Sequence, residues 1–317
     1  MDNPLDENEQ ELSNILCVKD TDGRDAVMIG LVATLYFENQ VTREVRERVA
    51  DAAEEYIQLV REHLRFSVPP KARREYPIDS KRTRFPREWL PNLPDGESWS
   101  FVFHGGNAGR AASAFYVESF GSRFADETEL GHLHVSFPLL WFTNPSVGTF
   151  PEYVLKLCQT LRPLSGYAGV GVLESFDGYT ADKFQPVVRE IANRFPGLEI
   201  EARVGHGLTL KAGIKGVNWL TILGDHWVSE MGGVDSLRAR LDENFGFYPY
   251  DGGVIIQAGP KPQIGDAQAN RWPKHYVTLA KVLKKIQIKD HYPFHFGGPG
   301  RMDHEASMAW LNRFDGR

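Results

Sequence analysis

The chain has 317 residues, of which 42% are hydrophobic and 25% charged, proportions of a globular protein rather than a fibrous or disordered one. Its 36 basic and 42 acidic residues give a net charge of −6, which argues against nucleic acid as a direct partner and is compatible with a basic protein partner. The length suits one large domain or two of ordinary size.

The N-terminus and the cysteines indicate the compartment. Residues 1–12 are polar and acidic, so we expect a flexible arm there. They contain no base, whereas a secretory signal begins with positive charge, so we expect no such signal. No apolar run approaches the roughly 18 to 20 residues of a membrane span. Cys17 and Cys158 each lie in an apolar run and are predicted to be buried free thiols. We therefore expect a cytoplasmic protein that has no membrane contact.

Residues 13–165 are predicted to form an N-terminal α+β half. The Asp20–Gly23 turn between apolar runs predicts a hairpin, and Thr42 is placed to cap an amphipathic helix that reaches Leu59. Residues 65–96 contain six prolines and a basic cluster, which predict a long irregular excursion with a solvated surface. An antiparallel meander is predicted from three short aromatic and β-branched runs: Trp99–His104, Ala114–Phe120 and Leu130–Phe137.

Two histidines of that meander, His132 and His134, share one face of their strand because side chains alternate. A half-exposed polar strand face is the favoured interpretation. The alternative is zinc binding, which needs a third ligand from elsewhere in the chain.

Residues 166–317 are predicted to form a C-terminal α+β half. The strand Gly166–Leu173 contains Gly169 and Gly171 but lacks the third glycine of a dinucleotide loop, so its glycines are expected to let another element approach closely. Phe247–Gly253 is predicted to be a turn-rich lead into a strand. The remaining strands of this region are predicted over Val217–Leu223 and Val254–Ala258. Its helices are predicted over 184–195, after a cap at Asp235, from Pro273, and over Ala306–Phe314 after a cap at Asp303.

A faint repeat relates the two halves. With a constant offset of 122, the helix that begins at Pro151 and extends to about Leu164 aligns with the one that begins at Pro273, and Pro138 aligns with Pro260. We expect an α+β fold of mixed or antiparallel sheets flanked by amphipathic helices, with two related halves that can pack as one unit. Chance similarity between amphipathic helices is the alternative.

The chain contains no nucleophile elbow, Walker loop, His-Glu-x-x-His or paired Cys-x-x-Cys motif. His291, His295 and His304 with Asp303 could form a metal site, although their spacing matches no ligand pattern. Aromatic and acidic residues crowd one segment, where aromatics can anchor and acids can steer a basic partner. The predicted exposed partner-binding fringe is Asp225, His226, Trp227, Glu230, Tyr248, Tyr250 and Asp251. Capping acids and core aromatics are the alternative explanation of the same residues.

Several stretches resemble the type VI secretion immunity family, and the likeness covers nearly the whole chain. They are Gly30–Phe37, Phe150–Val154, Leu161–Pro163, Gly216–Gly224, Gly232–Arg238, Tyr250–Pro260 and Trp310–Asp315. Members of that family protect the producing cell by binding an antibacterial effector, often a nuclease, and have no known catalysis.

The resemblance implies that the protein neutralises a cognate effector toxin by occluding its active site or substrate groove. It implies no catalytic residue, cofactor or metal. Two alternatives stay open at this point: a metal-assisted hydrolase that uses the C-terminal histidines, and an adaptor that binds an effector without neutralising it. The sequence does not indicate the oligomeric state or the effector's identity.

Overall fold

The structure, a computed structural model, describes residues 17–72, 74–123, 129–295, 298 and 300–317. Within these residues eleven strands form one sheet, in which neighbouring strands are antiparallel. The sheet order is β10-β11-β9-β8-β2-β7-β6-β5-β3-β4, and β1 pairs with the start of β2. The strands are Val18–Lys19 (β1), Asp25–Phe37 (β2), Phe66–Val68 (β3), Tyr76–Pro77 (β4), Trp99–His104 (β5), Tyr116–Gly121 (β6), Gly131–Phe137 (β7), Ser165–Glu174 (β8), Leu220–Gly224 (β9), Phe245–Tyr250 (β10) and Gly253–Ala258 (β11).

Helices flank this sheet, so the predicted α+β class is confirmed. In the described part of the chain they are Arg43–Leu59 (α1), Pro86–Trp89 (α2), Phe150–Leu161 (α3), Gly178–Arg194 (α4), Arg203–Gly207 (α5), Asp225–Glu230 (α6), Val234–Arg238 (α7), Lys274–Leu283 (α8) and His304–Leu311 (α9). None of these helices has the length and apolarity needed to cross a bilayer.

Short polar side chains set the turns and helix starts that the sequence predicted. The Asp20 carboxylate accepts the backbone N–H groups of Asp22 and Arg24, at 2.8 and 2.9 Å, and so closes the β1–β2 hairpin. Thr42 caps α1 and Asp303 caps α9. The helix predicted from Pro151 to Leu164 begins one residue earlier and ends at Leu161. The predicted acidic arm, residues 1–12, lies outside the described residues.

Two predictions about single residues are wrong. Cys158 is buried as predicted, but Cys17 is exposed. The helix α7 begins at Val234 with Gly233 at its N-cap, so Asp235 lies in its first turn and does not cap it.

The predicted turn before β11 is also wrong. Most of the segment from Phe247 to Gly253 is not a turn but belongs to the strand β10, which pairs with β11 along its whole length. Pro249 is tolerated there because β10 is an edge strand, which has only one neighbour to bond.

The two faces of the sheet differ in polarity. Along β2, Leu31, Ala33 and Leu35 point to one face, and Thr34 and Tyr36 point to the other. The first face is covered by α1 and α3, whose Tyr56 and Tyr153 rings lie 5.0 and 5.1 Å from the Phe137 ring. The opposite face is covered by an irregular segment, residues 199–218, which contacts β2, β7 and β8.

Glycines in β8 allow that segment to approach. A Cβ built on Gly169 would lie 2.1 Å from the Asn218 side-chain oxygen, and one on Gly171 would lie 3.2 Å from Glu199 Cβ as well as 2.7 Å from Val32 of the neighbouring strand β2. Real Cβ contacts are never as short as 2.1 or 2.7 Å, so a larger residue would push the covering segment away. The predicted close approach at the glycine-rich strand is confirmed.

Both halves of the chain contribute to the same sheet, since β2 pairs with β8 from Val27↔Glu174 to Tyr36↔Ser165. The order of elements is similar in the two halves, but the pairing is not: β7 lies beside β2, whereas its counterpart β11 is separated from β8 by β9. The division into halves at residues 165 and 166 stays a prediction.

Arg46 of α1 ties the proline-rich excursion to the body of the protein. Its side chain is only 1% exposed, and its guanidinium donates to the backbone oxygens of Val41 at 2.6 Å, Leu93 at 2.5 Å and Pro94 at 3.1 Å. It also contacts the exposed carboxylate of Asp95 at 3.0 Å. One side chain thus satisfies two carbonyl groups at the end of the excursion and the carbonyl group of Val41 just before α1.

We expect Arg46→Met to lower the free energy of unfolding by about 2–4 kcal/mol, because it removes these bonds and leaves carbonyl groups unsatisfied. Urea denaturation would measure the loss, and limited proteolysis should cut residues 65–98 sooner. The control is Arg43→Met on the same helix. The Arg43 side chain is 69% exposed, so this variant should lower the free energy of unfolding by less than about 0.5 kcal/mol. Equal midpoints for the two variants would contradict this role of Arg46.

Candidate functional site

The predicted fringe lies where α6 follows β9 directly. The β10–β11 turn sits beside the start of this helix, since the backbone N–H of Asp225 donates to Gly252 O at 2.8 Å. This bond brings Asp225 and His226 next to Asp251. Glu230 lies at the other end of α6, where Lys285 contacts its carboxylate at 3.4 Å. Tyr248 lies further along β10 and donates its hydroxyl to Gln257 Oε1 at 2.7 Å.

Exposure divides the seven fringe residues. Asp225, His226, Glu230 and Asp251 are exposed, and Tyr248 is half-buried. The expectation of an exposed fringe is wrong for the other two, Trp227 at 6% exposed and Tyr250 at 9%. A short helix that lies on a sheet must bury one side, and Trp227 is on that side; Tyr250 packs at the end of β10 with its hydroxyl directed to Leu223 O.

A surface groove of about 250 Å³ opens beside the exposed part of the fringe. Its walls come from the end of β2, the start of α1, the link between α3 and β8, and the start of α6. The lining residues are Phe37, Glu38, Asn39, Val45, Arg48, Leu161, Arg162, Pro163, Leu164, Gly224, Asp225, His226 and Gly252. The groove therefore lies where segments from the two halves of the chain meet.

Most of the charges in the groove have partners within the protein. Glu38 contacts Lys211 at 3.2 Å, Arg48 pairs with Glu44, and Arg162 pairs with Asp251. Among the described residues the Asp225 carboxylate has no such partner. Asp225 is exposed, so its charge is available to a binding partner.

A second candidate site is a layer of buried polar side chains between the sheet and the covering segment, residues 199–218. At its centre Lys215 Nζ lies 2.7 Å from Glu199 Oε1, and both side chains are 3% exposed. Asn218 donates to the other Glu199 oxygen at 2.9 Å, and Lys215 donates to Ile200 O at 2.7 Å. Burial lowers the pKa of Lys215, which Glu199 opposes.

Aromatic rings surround this ion pair. Lys215 Nζ lies 4.4 Å from the Tyr167 ring centre, 5.2 Å from Trp310 and 5.6 Å from Phe294, within the range of cation–π attraction. Trp310 belongs to α9. The buried lysine thus joins β8, the covering segment and the C-terminal helix.

The layer continues over the middle of the sheet through Glu201. Tyr167 and Thr34 donate their hydroxyl groups to Glu201, at 2.8 and 3.1 Å, and the Thr34 hydroxyl also lies 2.8 Å from His134 Nδ1. Burial raises the pKa of Glu201, although Lys215 opposes that rise. Burial also lowers the pKa of His134 well below its usual range.

The layer reaches the surface at Arg203 and Glu118, whose side chains are 20% and 16% exposed and form an ion pair. His132 Nε2 lies 3.2 Å from the same carboxylate. Burial alone would raise the pKa of Glu118, but Arg203 and His132 hold it well below its usual range. Four charged groups of the layer thus form two ion pairs, Arg203–Glu118 and Lys215–Glu199, whereas Glu201 is held by hydroxyl groups.

The expected half-exposed polar face at His132 and His134 is wrong. The two residues are 1% and 2% exposed, because residues 199–218 cover the strand face on which they lie. The shared face itself is confirmed, since both side chains enter the same polar layer. Their neighbours are Glu118, Thr34 and Glu201.

The C-terminal histidines do not meet as a ligand set. His291 hydrogen-bonds His206 at 2.7 Å, His304 hydrogen-bonds Asp290 at 2.7 Å, and His295 is a third, separate side chain. Within the part of the chain that the structure describes, no group of three or more His, Cys, Asp or Glu residues is arranged to hold a metal ion.

Sequence reasoning missed Glu199, Glu201, Arg203 and Lys215. Glu199 and Glu201 alternate with the apolar Leu198 and Ile200, a pattern that is typical of a strand with its acids in solvent. Only the tertiary packing shows that these acids are buried. The available signal was the number of potential partners on facing strands, Tyr36, His132, His134 and Tyr167.

We expect Lys215→Met to destabilise the protein by about 3–5 kcal/mol, because it leaves Glu199 buried without its counter-ion. The double variant Lys215→Met/Glu199→Gln should recover part of that loss, since a neutral amide is less costly to bury. Denaturant unfolding measures both. Lys285→Met is the control: its pair with Glu230 is exposed and is worth at most about 1 kcal/mol. If Lys215→Met matched this control, the buried pair would not be stabilising the fold.

The chain is similar to known proteins in both sequence and fold. The family model TsiV, type VI immunity for VRR-NUC, matches residues 48–314. A solved structure, the Pseudomonas aeruginosa T6SS protein PA0821, is similar over 98% of this chain and 92% of its own, with 27% identity and a TM-score of 0.83. No curated protein sequence matches the chain significantly. Since the family match covers most of the chain, including the whole fringe and the Lys215–Glu199 pair, the chain belongs to the TsiV family of type VI immunity proteins.

Proposed function

We propose that this immunity protein neutralises a VRR-NUC effector by binding it and occluding its active site or substrate groove, without catalysis of its own. The observation that carries the proposal is the family match over residues 48–314. Pairing within the buried layer supports a binding role, because its ionised groups are occupied with one another. The cytoplasmic location expected from the sequence is part of the same proposal.

We place the contact surface at the rim of the groove, which we define as Asp225, His226 and Asp251, with Glu230 and Tyr248 at its margins. A nuclease must hold phosphate groups, so its substrate groove is basic. A partner with a net charge of −6 is attracted to such a groove, and charge complementarity of this kind raises the association rate. Asp225 is the residue best suited to meet a basic side chain, since it lacks a counter-ion among the described residues.

Trp227 and Tyr250 support this surface from below. Their rings are buried, so they hold α6 and the end of β10 in place instead of contacting a partner. The bond from Asp225 N–H to Gly252 O fixes the two exposed segments relative to each other. A preformed rim loses little conformational entropy on binding.

Purified protein mixed with its cognate effector tests the function itself. We expect nuclease activity to fall to background at one equivalent, and the two proteins to co-elute. An adaptor would co-elute but leave the nuclease active. Absence of a complex, together with undiminished toxicity on co-expression, would reject the proposed function.

We expect Asp225→Lys to weaken the complex at least tenfold, equivalent to about 1.4 kcal/mol, chiefly through slower association and with a reduced salt dependence. Surface plasmon resonance at two salt concentrations measures both effects. Glu305→Lys is the matched control, since Glu305 is exposed on α9 and does not line the groove. Wild-type affinity in Asp225→Lys would place the contact surface elsewhere, while leaving immunity itself intact.

A further inference from the structure

Two buried histidines form a direct hydrogen bond between the covering segment, residues 199–218, and the link between α8 and α9. His206 in α5 is 0% exposed and His291, between α8 and α9, is 2% exposed. His206 Nδ1 lies 2.7 Å from His291 Nε2. The bond thus joins α5 to a segment that lies 85 residues further along the chain.

The neighbours of the two rings fix where their protons lie. The backbone N–H of Ala202 donates to His206 Nε2 at 3.1 Å, so that nitrogen carries no proton. His206 Nδ1 then carries the proton and donates to His291 Nε2. His291 Nδ1 in turn donates to the backbone oxygen of Tyr292 at 2.5 Å. Each ring is a neutral Nδ1–H tautomer, and all four nitrogens are used.

An added proton has no acceptable position in this series of hydrogen bonds. On His206 it would have to sit on Nε2, facing the N–H of Ala202. On His291 it would have to sit on Nε2, facing the N–H of His206. In either case two donors would point at each other, so protonation must break one of the hydrogen bonds.

The surroundings also oppose a positive charge. The charged or titratable groups that face His206 are Lys215, Arg203, His132 and His291, and the rings of Tyr36 and Phe294 pack against it. Those that face His291 are Lys215, Asp290 and His304, and Asp290 is exposed and bonded to His304. Burial lowers the pKa of His206 well below its usual range and that of His291 to about 4.

We propose that His206 and His291 form an acid-sensitive latch, which holds residues 289–293 against α5 while both rings are neutral and releases them when either ring is protonated. The release is local. Ile288 N–H remains bonded to Ile214 O at 3.0 Å on one side of the segment, and Phe294 N–H to Ser307 Oγ at 2.9 Å on the other. The latch includes no residue of the proposed effector-binding surface. It makes the packing of residues 289–293 against α5 depend on pH.

The sign of the pH dependence follows from the lowered pKa values. Between the usual histidine pKa, about 6.5, and the folded value for His291, about 4, the open state binds more protons than the closed state. The latch is therefore fully effective above about pH 6.5 and weakens as the pH falls towards 4. For each unit by which the pH falls in this range, each histidine raises the equilibrium constant for opening of the latch by up to about tenfold.

Hydrogen exchange at pH 7.5 and pH 5.0, corrected for the intrinsic rate, tests the latch on the full chain. In the wild type we expect residues 202–209 and 289–293 to lose protection at least tenfold on acidification. The double variant His206→Gln/His291→Gln keeps amide groups at both positions without titrating, and its loss should be less than threefold. An equal loss in the double variant would overturn the proposal.

His104→Asn provides the matched control. His104 is also fully buried, with a pKa lowered to about 4 by burial, but it lies on β5. Its replacement should leave the acid response of residues 202–209 and 289–293 unchanged. Ring ¹⁵N NMR of the wild type decides the matter if the double variant fails to fold: both rings should be Nδ1–H tautomers at neutral pH, and an Nε2–H tautomer at either ring would refute the latch.

Discussion

The pairing of β2 with β8 is the constraint on which the rest of the structure depends. It joins the strands contributed by the two halves of the chain into one sheet, over ten residue pairs. It also requires glycine in β8, because larger residues at Gly169 and Gly171 would collide with Asn218 and Val32. Where those glycines permit it, residues 199–218 settle on the sheet and bring Glu199, Glu201 and Lys215 into the interior. Removing one partner of a buried ion pair leaves an uncompensated charge in the interior, and here Lys215 also joins β8 to α9 through the rings of Tyr167 and Trp310.

The charges of the protein thus fall into two groups with different roles. The charges of the buried layer interact within the protein, where tyrosine and histidine side chains also hydrogen-bond the carboxylates. Those of the groove are mostly paired at the surface, which leaves Asp225 as an available carboxylate at a rigid rim. This distribution fits the proposed role of a protein that acts by presenting a surface to its partner.

The parts of the fold that depend on neighbouring residues could be predicted from the sequence. The Asp20–Gly23 hairpin, the caps at Thr42 and Asp303, the β5–β7 meander and the close approach at β8 all follow from local patterns. The failures share a different cause, since burial depends on segments distant in sequence. His132 and His134 are buried by residues 199–218, Trp227 by the sheet under α6, and β10 is a strand because β11 pairs with it despite Pro249. Of the candidate surface, the location beside β9 was predictable, but the groove forms only where four separate chain segments meet.

We propose that the protein neutralises a VRR-NUC effector through the rim of the groove. Hydrogen exchange of the free protein and of its one-to-one complex with the cognate effector tests this proposal. We expect slower exchange in residues 224–230 and 248–253 on binding, with residues 304–311 of α9 unchanged. Protection confined to other segments, with the rim exchanging at its free rate, would contradict it.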